Sequence, residues 1–509
     1  MNSVTYKPAS ARCLTALLLL LSFTVFVPDA GGKERPDARF LKLWSYGNYR
    51  VATAEIEMLV DRYPENELFR LNQGALLMYL DSLELAEELL LELMPQDPYL
   101  SSRRQYFLGQ LSKRRGDDAV AVSRLRTAWK QYPEDLKPLE EAVELSYGFT
   151  NRSLCQQLVE ELLAGVPASA AGLMYQGLLA LPEHPWQAVA SLRASVEQFP
   201  HPEALLELIQ QLEQLPGRYL EAEQYRGQLQ RLYPGYPAPA TDDVSVVVTG
   251  TPEATSGMEQ IVTPARKPSC RALYPVGTQY TYSVAYGVIP LGTLKIWTQR
   301  LLLIEGELMA EVWFTADSNP LYGWLIDMHD VFVAQLPIST TGLYSMHTSS
   351  IYNNEIMERL YLLDHDSHSY IARGCHYQGD IYLYQFPCPL DAFDGISLLF
   401  AARRSVRLRQ PQLYTTIVQE EFKHTMIELD THESQMWDQG KRVPVLHLYG
   451  TANYRGEAGL SGSFEGWFST DSLALPLKSK MKILLGSITV RLKEVTQLDS
   501  ARLPLQQKE

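Results

Sequence analysis

The chain has 509 residues, of which 46% are hydrophobic, so it is long enough to form two or three domains with sizeable cores. Its formal net charge of −14 excludes general nucleic-acid binding, because that function needs basic surfaces. We interpret the acidity as a contribution to solubility.

The first 32 residues are predicted to be a secretory signal peptide. Lys7 and Arg12 give a positive start, Leu14 to Val27 form a short apolar run, and Ala30-Gly31-Gly32 is a small-residue cleavage site. The run is short for a transmembrane helix. We therefore expect an exported mature chain that begins near Lys33 and has no transmembrane segment, with an uncleaved anchor as the alternative.

Residues 33–235 contain two features that recur together. Prolines stand 33 to 35 residues apart, and a small residue precedes each proline by twelve positions. The prolines are Pro64, Pro98, Pro133, Pro167, Pro200 and Pro234, and the small residues are Ala52, Ala86, Ala121, Cys155, Ala188 and Ala222. A fixed period near 34 residues is typical of a tetratricopeptide solenoid, here with about six repeats.

The period has a physical cause. Each repeat is predicted to be two antiparallel helices that cross closely at the small residue, and the proline ends the second helix. Gly74 and Gly109 mark close-packed positions in the first helices. Residues from about 40 to 235 thus resemble the tetratricopeptide repeat family. The resemblance implies a groove that binds an extended peptide or a helix of a protein partner. The alternative is a spacer that positions the second domain.

The composition changes after residue 235. Residues 236–267 contain Pro237, Pro239, Pro252 and Pro264 among Thr, Gly, Asp and Val, and they predict a flexible linker between two parts that move independently. Residues 268–497 then alternate with a period of two. They predict ten to thirteen short antiparallel strands and one helix, Asp394 to Arg404. A closed or nearly closed barrel would remove unpaired strand edges. Residues 498–509 are a polar tail.

The predicted fold class is therefore multidomain α + β. An N-terminal all-α, tetratricopeptide-like helical solenoid precedes a C-terminal antiparallel β-barrel-like domain with one helix.

The second domain also resembles the domain-of-unknown-function family numbered 3108. The resemblance depends on four stretches: Gly277–Val284 with Gly292–Leu294, Asp327–Val331, Leu390–Leu399 followed by Arg403, and Trp467–Asp471 through Leu475–Leu477 to Gly486–Ile488. It implies a barrel-like fold and a place in the periplasm or cell envelope of a Gram-negative bacterium. It transfers no catalytic residue to this chain.

Four cysteines remain if the signal peptide is removed. Cys155 takes the small-residue position of the fourth repeat. Cys375 and Cys388 are close in sequence within an exported domain, so we predict a disulfide between them, with Cys270 as a competing partner.

Two polar clusters in the second domain are candidate sites. His365, His368 and His376 are weak metal-ligand candidates, although a polar hairpin turn needs no ion. Asp391 and Asp394 flank the predicted helix, where a carboxylate caps helical N–H groups more often than it catalyses. We predict no catalytic residue, no bound metal and no cofactor.

Aromatic residues are frequent in the predicted strands. They either line a lumen that holds a lipid or another hydrophobic ligand, or pack between strands. They are Tyr280, Tyr282, Tyr286, Trp297, Trp313, Tyr322, Trp324, Tyr382, Tyr384, Trp437, Tyr449 and Trp467.

Three functions follow from this organisation. The first is a non-enzymatic envelope adaptor whose solenoid groove binds a protein partner while the barrel docks or chaperones an envelope component. The second is a carrier of a hydrophobic ligand in the barrel, and the third is an enzyme that acts on envelope glycan. We predict the first.

Overall fold

The structure is a computed structural model of the full chain. It describes residues 35–148, 152–181, 183–233, 236, 270–304, 306–322, 327–352, 355–364, 369–387, 392–418, 421–438, 440–455, 461–483 and 486–498. The predicted signal peptide, nearly all of the predicted linker and all of the tail but Leu498 lie outside these residues. No helix in the described ranges is long and apolar enough to cross a membrane.

The N-terminal part consists of paired helices, as the repeat predicts. They are α1 (Ala38–Ser45), α2 (Tyr49–Arg62), α3 (Glu67–Tyr79), α4 (Leu83–Glu92), α5 (Pro98–Arg114), α6 (Asp118–Gln131), α7 (Lys137–Tyr147), α8 (Arg152–Gly165), α9 (Ala170–Ala180), α10 (Pro185–Gln198), α11 (Pro202–Gln214) and α12 (Tyr219–Leu232). Each odd-numbered helix is the first of its pair. The solenoid fold class is confirmed.

The small residues lie where the period places them. All six belong to second helices and are buried. The first-helix glycines explain how close the crossing is, because a Cβ on Gly74 would come within 2.8 Å of Leu90 and one on Gly109 within 3.0 Å of Leu125. Each of these leucines follows its small residue by one helical turn, so glycine, alanine and leucine form one packed unit in the repeat.

The prolines do not all end a helix. Pro64, Pro133, Pro167 and Pro200 each follow a second helix by two residues, and Pro234 lies outside the described residues. The prediction is wrong for Pro98, which is the first residue of α5, whereas α4 already ends at Glu92. Proline is favoured at this position, because its missing N–H has no helical partner there.

Within the described ranges, the C-terminal part forms a sixteen-stranded sheet. Its strands are β1 (Thr278–Tyr286), β2 (Ile289–Ile304), β3 (Glu307–Ser318), β4 (Met328–Pro337), β5 (Ser345–Tyr352), β6 (Glu355–Asp364), β7 (Ser369–Cys375), β8 (Ile381–Pro387), β9 (Ala392–Phe393), β10 (Gln412–Val418), β11 (Glu421–Leu429), β12 (Ser434–Asp438), β13 (Lys441–Arg455), β14 (Ser461–Ser469), β15 (Pro476–Ile483) and β16 (Gly486–Gln497). The alternating pattern does not indicate three of these strands, β5, β9 and β12. β9 has two residues, and β5 is mostly polar, so neither shows a clear alternating pattern.

The sheet is antiparallel apart from the β9–β10 pair. Its first strand along the chain, β1, pairs with its last, β16. The order β8-β7-β6-β5-β4-β3-β2-β1-β16-β15-β14-β13-β11-β10-β9 has two ends, so these strands do not close by hydrogen bonding. The fold is barrel-like, but no strand of the sheet pairs with the outer edge of β8 within the described residues, so this edge must be covered in another way.

The helix of this part, α13 (Gly395–Leu408), packs on one face of the sheet, which we call the inner face. Ile396 and Phe400 of α13 share a core with Tyr280 and Tyr282 of β1, and the Phe400 ring stacks on Tyr274 at 4.5 Å. The inner face is thus filled by the protein's own side chains.

The two parts of the chain pack together. Ile356, Cys375 and Ile381 of the sheet belong to the same buried cluster as the solenoid residues Trp44 and Ile56. This contact contradicts the expectation that the linker lets the two parts move independently. The sequence periodicity indicates the secondary structure within each part, but it contains no information about which surfaces of the two parts contact each other.

Candidate protein-binding groove

The solenoid surface formed by Trp44, Asn72, Tyr79, Tyr99 and Arg103 is called the groove here. These residues lie on α1, α3 and α5, the first helices of three successive pairs. Tetratricopeptide solenoids use such a surface to bind extended segments. In this chain the surface holds the hairpin of β7 and β8, whose turn is residues 376–380.

Asn72 binds the backbone of this hairpin at two points. Its buried amide donates from Nδ2 to the Gly379 carbonyl at 2.9 Å, and its Oδ1 accepts from the Ile381 N–H at 3.0 Å. The Tyr79 hydroxyl accepts from the Leu383 N–H at 3.1 Å. Three hydrogen bonds from the solenoid therefore satisfy backbone groups of the hairpin and do not depend on the hairpin's side chains.

These contacts also cover a sheet edge. β8 is the terminal strand of the sheet order, so its outward N–H groups have no partner strand. Ile381 and Leu383 point their N–H groups to the solenoid, where Asn72 and Tyr79 accept them. Covering an edge in this way prevents pairing with a foreign strand, which is the purpose that closure was predicted to serve.

A buried ion pair fixes the turn. Asp380 and Arg103 are both 0% exposed, and Arg103 Nε donates to Asp380 Oδ2 at 2.7 Å. The Tyr99 hydroxyl and His376 Nδ1 also contact this carboxylate. Burial by itself would raise the pKa of Asp380, but the charges of His376 and Arg103 with these hydrogen bonds outweigh it, so the pKa lies below its ordinary value.

Arg103 has a second set of contacts inside the solenoid. Its guanidinium lies 4.6 Å from the centre of the Tyr106 ring and 5.0 Å from that of Phe107. Asp135 is a longer ionic partner at 3.5 Å. A fully buried arginine without a matched anion is strongly destabilising, so the carboxylate of Asp380 supplies the charge that Arg103 needs.

Arg373 of β7 makes the matching contact at α1. Its Nε donates to the Ser45 carbonyl at 2.9 Å and its Nη1 to the Tyr49 hydroxyl at 2.7 Å. Gly47 has φ +75°, and a Cβ there would come within 2.7 Å of the Arg373 guanidinium. The position therefore requires glycine both for its backbone and for the approach of Arg373.

The metal candidates do not assemble among the described residues. His376 pairs with Asp380 in the groove, whereas His365 and His368 lie outside the described ranges. No group of three potential ligands occurs in the part of the chain that the structure describes.

The predicted disulfide is absent at Cys375, which has a free, buried thiol, while Cys388 lies outside the described residues. The Cys375 Sγ accepts from the Glu358 N–H at 3.3 Å. Burial raises the pKa of Cys375 to about 12, so this thiol is unreactive at neutral pH. The spacing of the cysteines gave a wrong prediction because Cys375 lies at the turn end of the hairpin, where it pairs with Ile381. Pro387, the residue before Cys388, lies at the other end, where it pairs with Ser369.

Asp394 is a helix cap, as the capping interpretation predicts. Its side chain accepts from the Ser397 N–H at 2.8 Å, and the Ser397 Oγ accepts from the Asp394 N–H at 2.7 Å, which completes a capping box. Asp391 lies outside the described residues.

The aromatic residues fall into two groups. Tyr280, Tyr282 and Tyr382 belong to one buried cluster on the inner face, and Tyr384 packs against that cluster and stacks on Tyr382 at 4.8 Å, whereas Trp297 and Trp313 lie outside it and stack on each other at 5.8 Å. Trp467 stacks on His447 at 4.5 Å. Nothing is described for Trp324 or for the side chains of Tyr322 and Trp437.

Sequence reasoning missed Asn72, Arg103 and Asp380, which make the central contacts. A signal was present, since Asn72 and Arg103 interrupt the apolar face of first helices whose neighbouring positions are buried. A polar residue on a core-facing stripe needs a partner, and here the partner comes from about 280 to 310 residues later in the chain.

The chain is thus a tetratricopeptide-type solenoid packed against a large antiparallel sheet. No protein-family model matches its sequence, and no curated protein matches it.

Solved structures resemble each part separately. The tetratricopeptide protein YrrB, described as having an unusual peptide-binding site, is 14% identical with a TM-score of 0.29, covering 34% of this chain and 92% of its own. PilW, a type IV pilus biogenesis factor, is 21% identical with a TM-score of 0.33, covering 40% and 93%. A beta-barrel-like protein of domain of unknown function DUF1849 from Brucella abortus is 9% identical with a TM-score of 0.33, covering 45% and 100%. Likeness at this level says nothing about function.

Proposed function

We propose that this chain is an exported, non-enzymatic scaffold of the cell envelope whose solenoid binds a protein partner. The observation behind the proposal is that the groove binds an extended backbone through Asn72 and Tyr79 and places a carboxylate on Arg103. Backbone hydrogen bonds with one side-chain pocket are a general mode of peptide recognition. The first three helix pairs use this mode to hold the chain's own sheet.

Beyond the sheet contacts of Lys137 with the Tyr384 ring and of Phe199 with Phe422, the remaining first helices, α7, α9 and α11, supply the surface for the partner. There the exposed ring of Tyr147 lies 5.3 Å from the buried ring of Tyr175. Burial and then Glu144 raise the pKa of Tyr175, and burial and then Glu207 raise that of Tyr147, which places both carboxylates close to this ring pair. Carboxylates beside aromatic rings favour a partner segment that contains Lys or Arg.

The proposal is tested with chemical cross-linking of the chain from Lys33 onward in an envelope extract of its native host. We expect defined proteins to be cross-linked, and expect the yield to fall at least about tenfold in Glu144→Lys/Glu207→Lys, since like charges oppose the partner. Glu57→Lys/Glu65→Lys makes the same change of charge at exposed positions of the first two repeats and is the control. Equal yields from the two variants would contradict the proposal, and so would cross-linking no stronger than background.

Export is the second element of the proposal. The charged start and apolar run before Lys33 support it. Sequencing of the N-terminus from the native host is expected to give a start near Lys33. A protein that still begins at Met1 would refute cleavage.

A further inference from the structure

The sheet has a basic surface that the groove does not involve. Lys478, Lys480 and Lys482 alternate along β15, and Arg491 lies directly opposite Lys478 on β16. We call these four residues the basic face. None of them has an ion pair within the described residues. In a chain of net charge −14 they concentrate positive charge on two neighbouring strands.

Like charges directly opposite each other destabilise a sheet, so this arrangement has a cost. Burial lowers the pKa of Lys478, and the neighbouring charges of Lys480 and Arg491 lower it further. Glu465 lies opposite Lys480 on β14 and offsets part of the charge. The four cations and Glu465 together have a net charge of +3, so the face remains positive.

An exposed apolar turn adjoins the basic face. Gly287 and Val288 connect β1 and β2, and Gly287 lines the same shallow depression as Lys478, Lys480 and Arg491. Val288 is 98% exposed and Ile289 44%. Leu321, 74% exposed, is linked to β2 just after this turn through Asn319, whose side chain donates to the Pro290 carbonyl and accepts from the Leu321 N–H, each at 3.0 Å. We call Val288, Ile289 and Leu321 the apolar tip.

The strand register gives the depth of Lys480, Lys478 and Arg491 behind the tip, whereas Lys482, opposite Ser487, lies level with the turn. Lys480 shares a row with Thr489 and Ala285, two residues behind the turn, and Lys478 lies two residues further back. At about 3.3 Å per residue, these rows are roughly 7 and 13 Å behind the tip. The headgroup layer of a bilayer is about 5–8 Å thick on each side. An inserted tip therefore places Lys480 among headgroups and Lys478 and Arg491 just outside them.

We propose that this end of the sheet is a docking surface for an anionic lipid bilayer, with the apolar tip inserted and the basic face against lipid phosphates. An acidic protein segment would match the charge, but it would leave a protruding, almost fully exposed valine without a contact. A bilayer accommodates both features, since apolar groups enter the acyl boundary and cations stay at the anionic surface. The proposal is independent of what the groove binds.

The test is co-sedimentation of the chain from Lys33 onward with phosphatidylglycerol vesicles, and with phosphatidylcholine vesicles for comparison. This chain contains every described residue and lacks the apolar N-terminal run. Each cation contributes about fivefold to binding of an anionic surface. Lys478→Glu/Lys480→Glu is thus expected to lower the partition coefficient at least about 25-fold, and Val288→Asp about tenfold through lost insertion.

Two matched variants serve as controls. Leu303→Asp alters a 73% exposed leucine near the opposite end of β2, and Arg50→Glu/Lys130→Glu reverses two exposed cations of the solenoid. Both are expected to bind phosphatidylglycerol vesicles like the unaltered chain. Equal binding to the two lipids would overturn the proposal, as would equal loss in the controls. Unchanged binding by Val288→Asp, with polyglutamate displacing the protein from the vesicles, would indicate an acidic polypeptide instead and also overturn it.

Discussion

Two hairpins of the same sheet have opposite surroundings. The turn between β7 and β8 contains His376 and Asp380, yet Asp380 is completely buried against the solenoid. The turn between β1 and β2 contains Val288, which is 98% exposed. From the polarity of their residues, the first turn would be expected at the surface and the second in the core, and the structure shows the opposite for both. A buried polar turn indicates an internal partner, and an exposed apolar turn indicates an external one.

The largest effect is expected from breaking the buried pair. Asp380→Ala leaves Arg103 buried with only the longer contact to Asp135, and such a loss typically costs about 3–5 kcal/mol. Urea denaturation measures the change in the free energy of unfolding. Asp135→Asn is the control, since Asp135 is partly exposed and 3.5 Å from Arg103, and it is expected to cost much less. Equal costs would mean that Asp380 is not the main partner of Arg103.

Acid should weaken the same contact. The folded-state pKa of Asp380 is lower than its unfolded value, so its contribution is complete above the unfolded pKa of about 4 and is lost as pH falls below it. Between pH 5 and pH 3 the unaltered chain should lose more stability than Asp380→Asn, as measured by denaturation at each pH. Parallel profiles would show that Asp380 does not produce the pH dependence.

Removing the amide of Asn72 tests the backbone contacts of the buried hairpin. Asn72→Ala leaves the Gly379 carbonyl and the Ile381 N–H without their partner, and each unsatisfied buried group costs about 1–3 kcal/mol. Asn48→Ala, at an exposed asparagine whose side chain makes no capping hydrogen bond, is the control. Hydrogen exchange should show β8 losing protection only in the first variant. Unchanged protection would indicate that the solenoid does not stabilise this edge.

Ala121→Leu asks whether the two parts unfold together. The added carbons overpack α6 against α5, which holds Arg103, at a cost of roughly 1–3 kcal/mol. The sequence alone predicts that the damage stops at the linker and leaves melting of the sheet unchanged. The shared core predicts instead that the sheet transition falls together with that of the solenoid in calorimetry. Two separate transitions, with only one displaced, would restore the prediction of independent parts.

The smallest effect is expected at the exposed hairpin. Val288→Asp should change the free energy of unfolding by no more than about 0.5 kcal/mol, because an almost fully exposed side chain loses no packing. Thermal denaturation without lipid measures this change. A large loss would mean that Val288 packs against the protein, which would remove the contrast between the hairpins.

The sequence determined the elements that local chemistry controls. The 34-residue period places Ala52 and Ala121 at buried crossings, because the helical repeat forces the same residue to the same contact in every pair. Alternation located thirteen of the sixteen strands, since side chains of a strand alternate between faces. The cap at Asp394 followed from a short-range pattern.

The tertiary structure decided everything that joins distant segments. In the sequence, Asn72 and Arg103 are polar interruptions of apolar helix faces. Only the folded chain shows that they bind Gly379 and Asp380. The free thiol of Cys375 depends on the register of β7 with β8, which cysteine spacing does not reveal. The basic face exists because hydrogen bonding sets Arg491 opposite Lys478. Periodicity is a local property of the chain, whereas a docking surface depends on which faces meet, and that choice is made only when the whole chain packs.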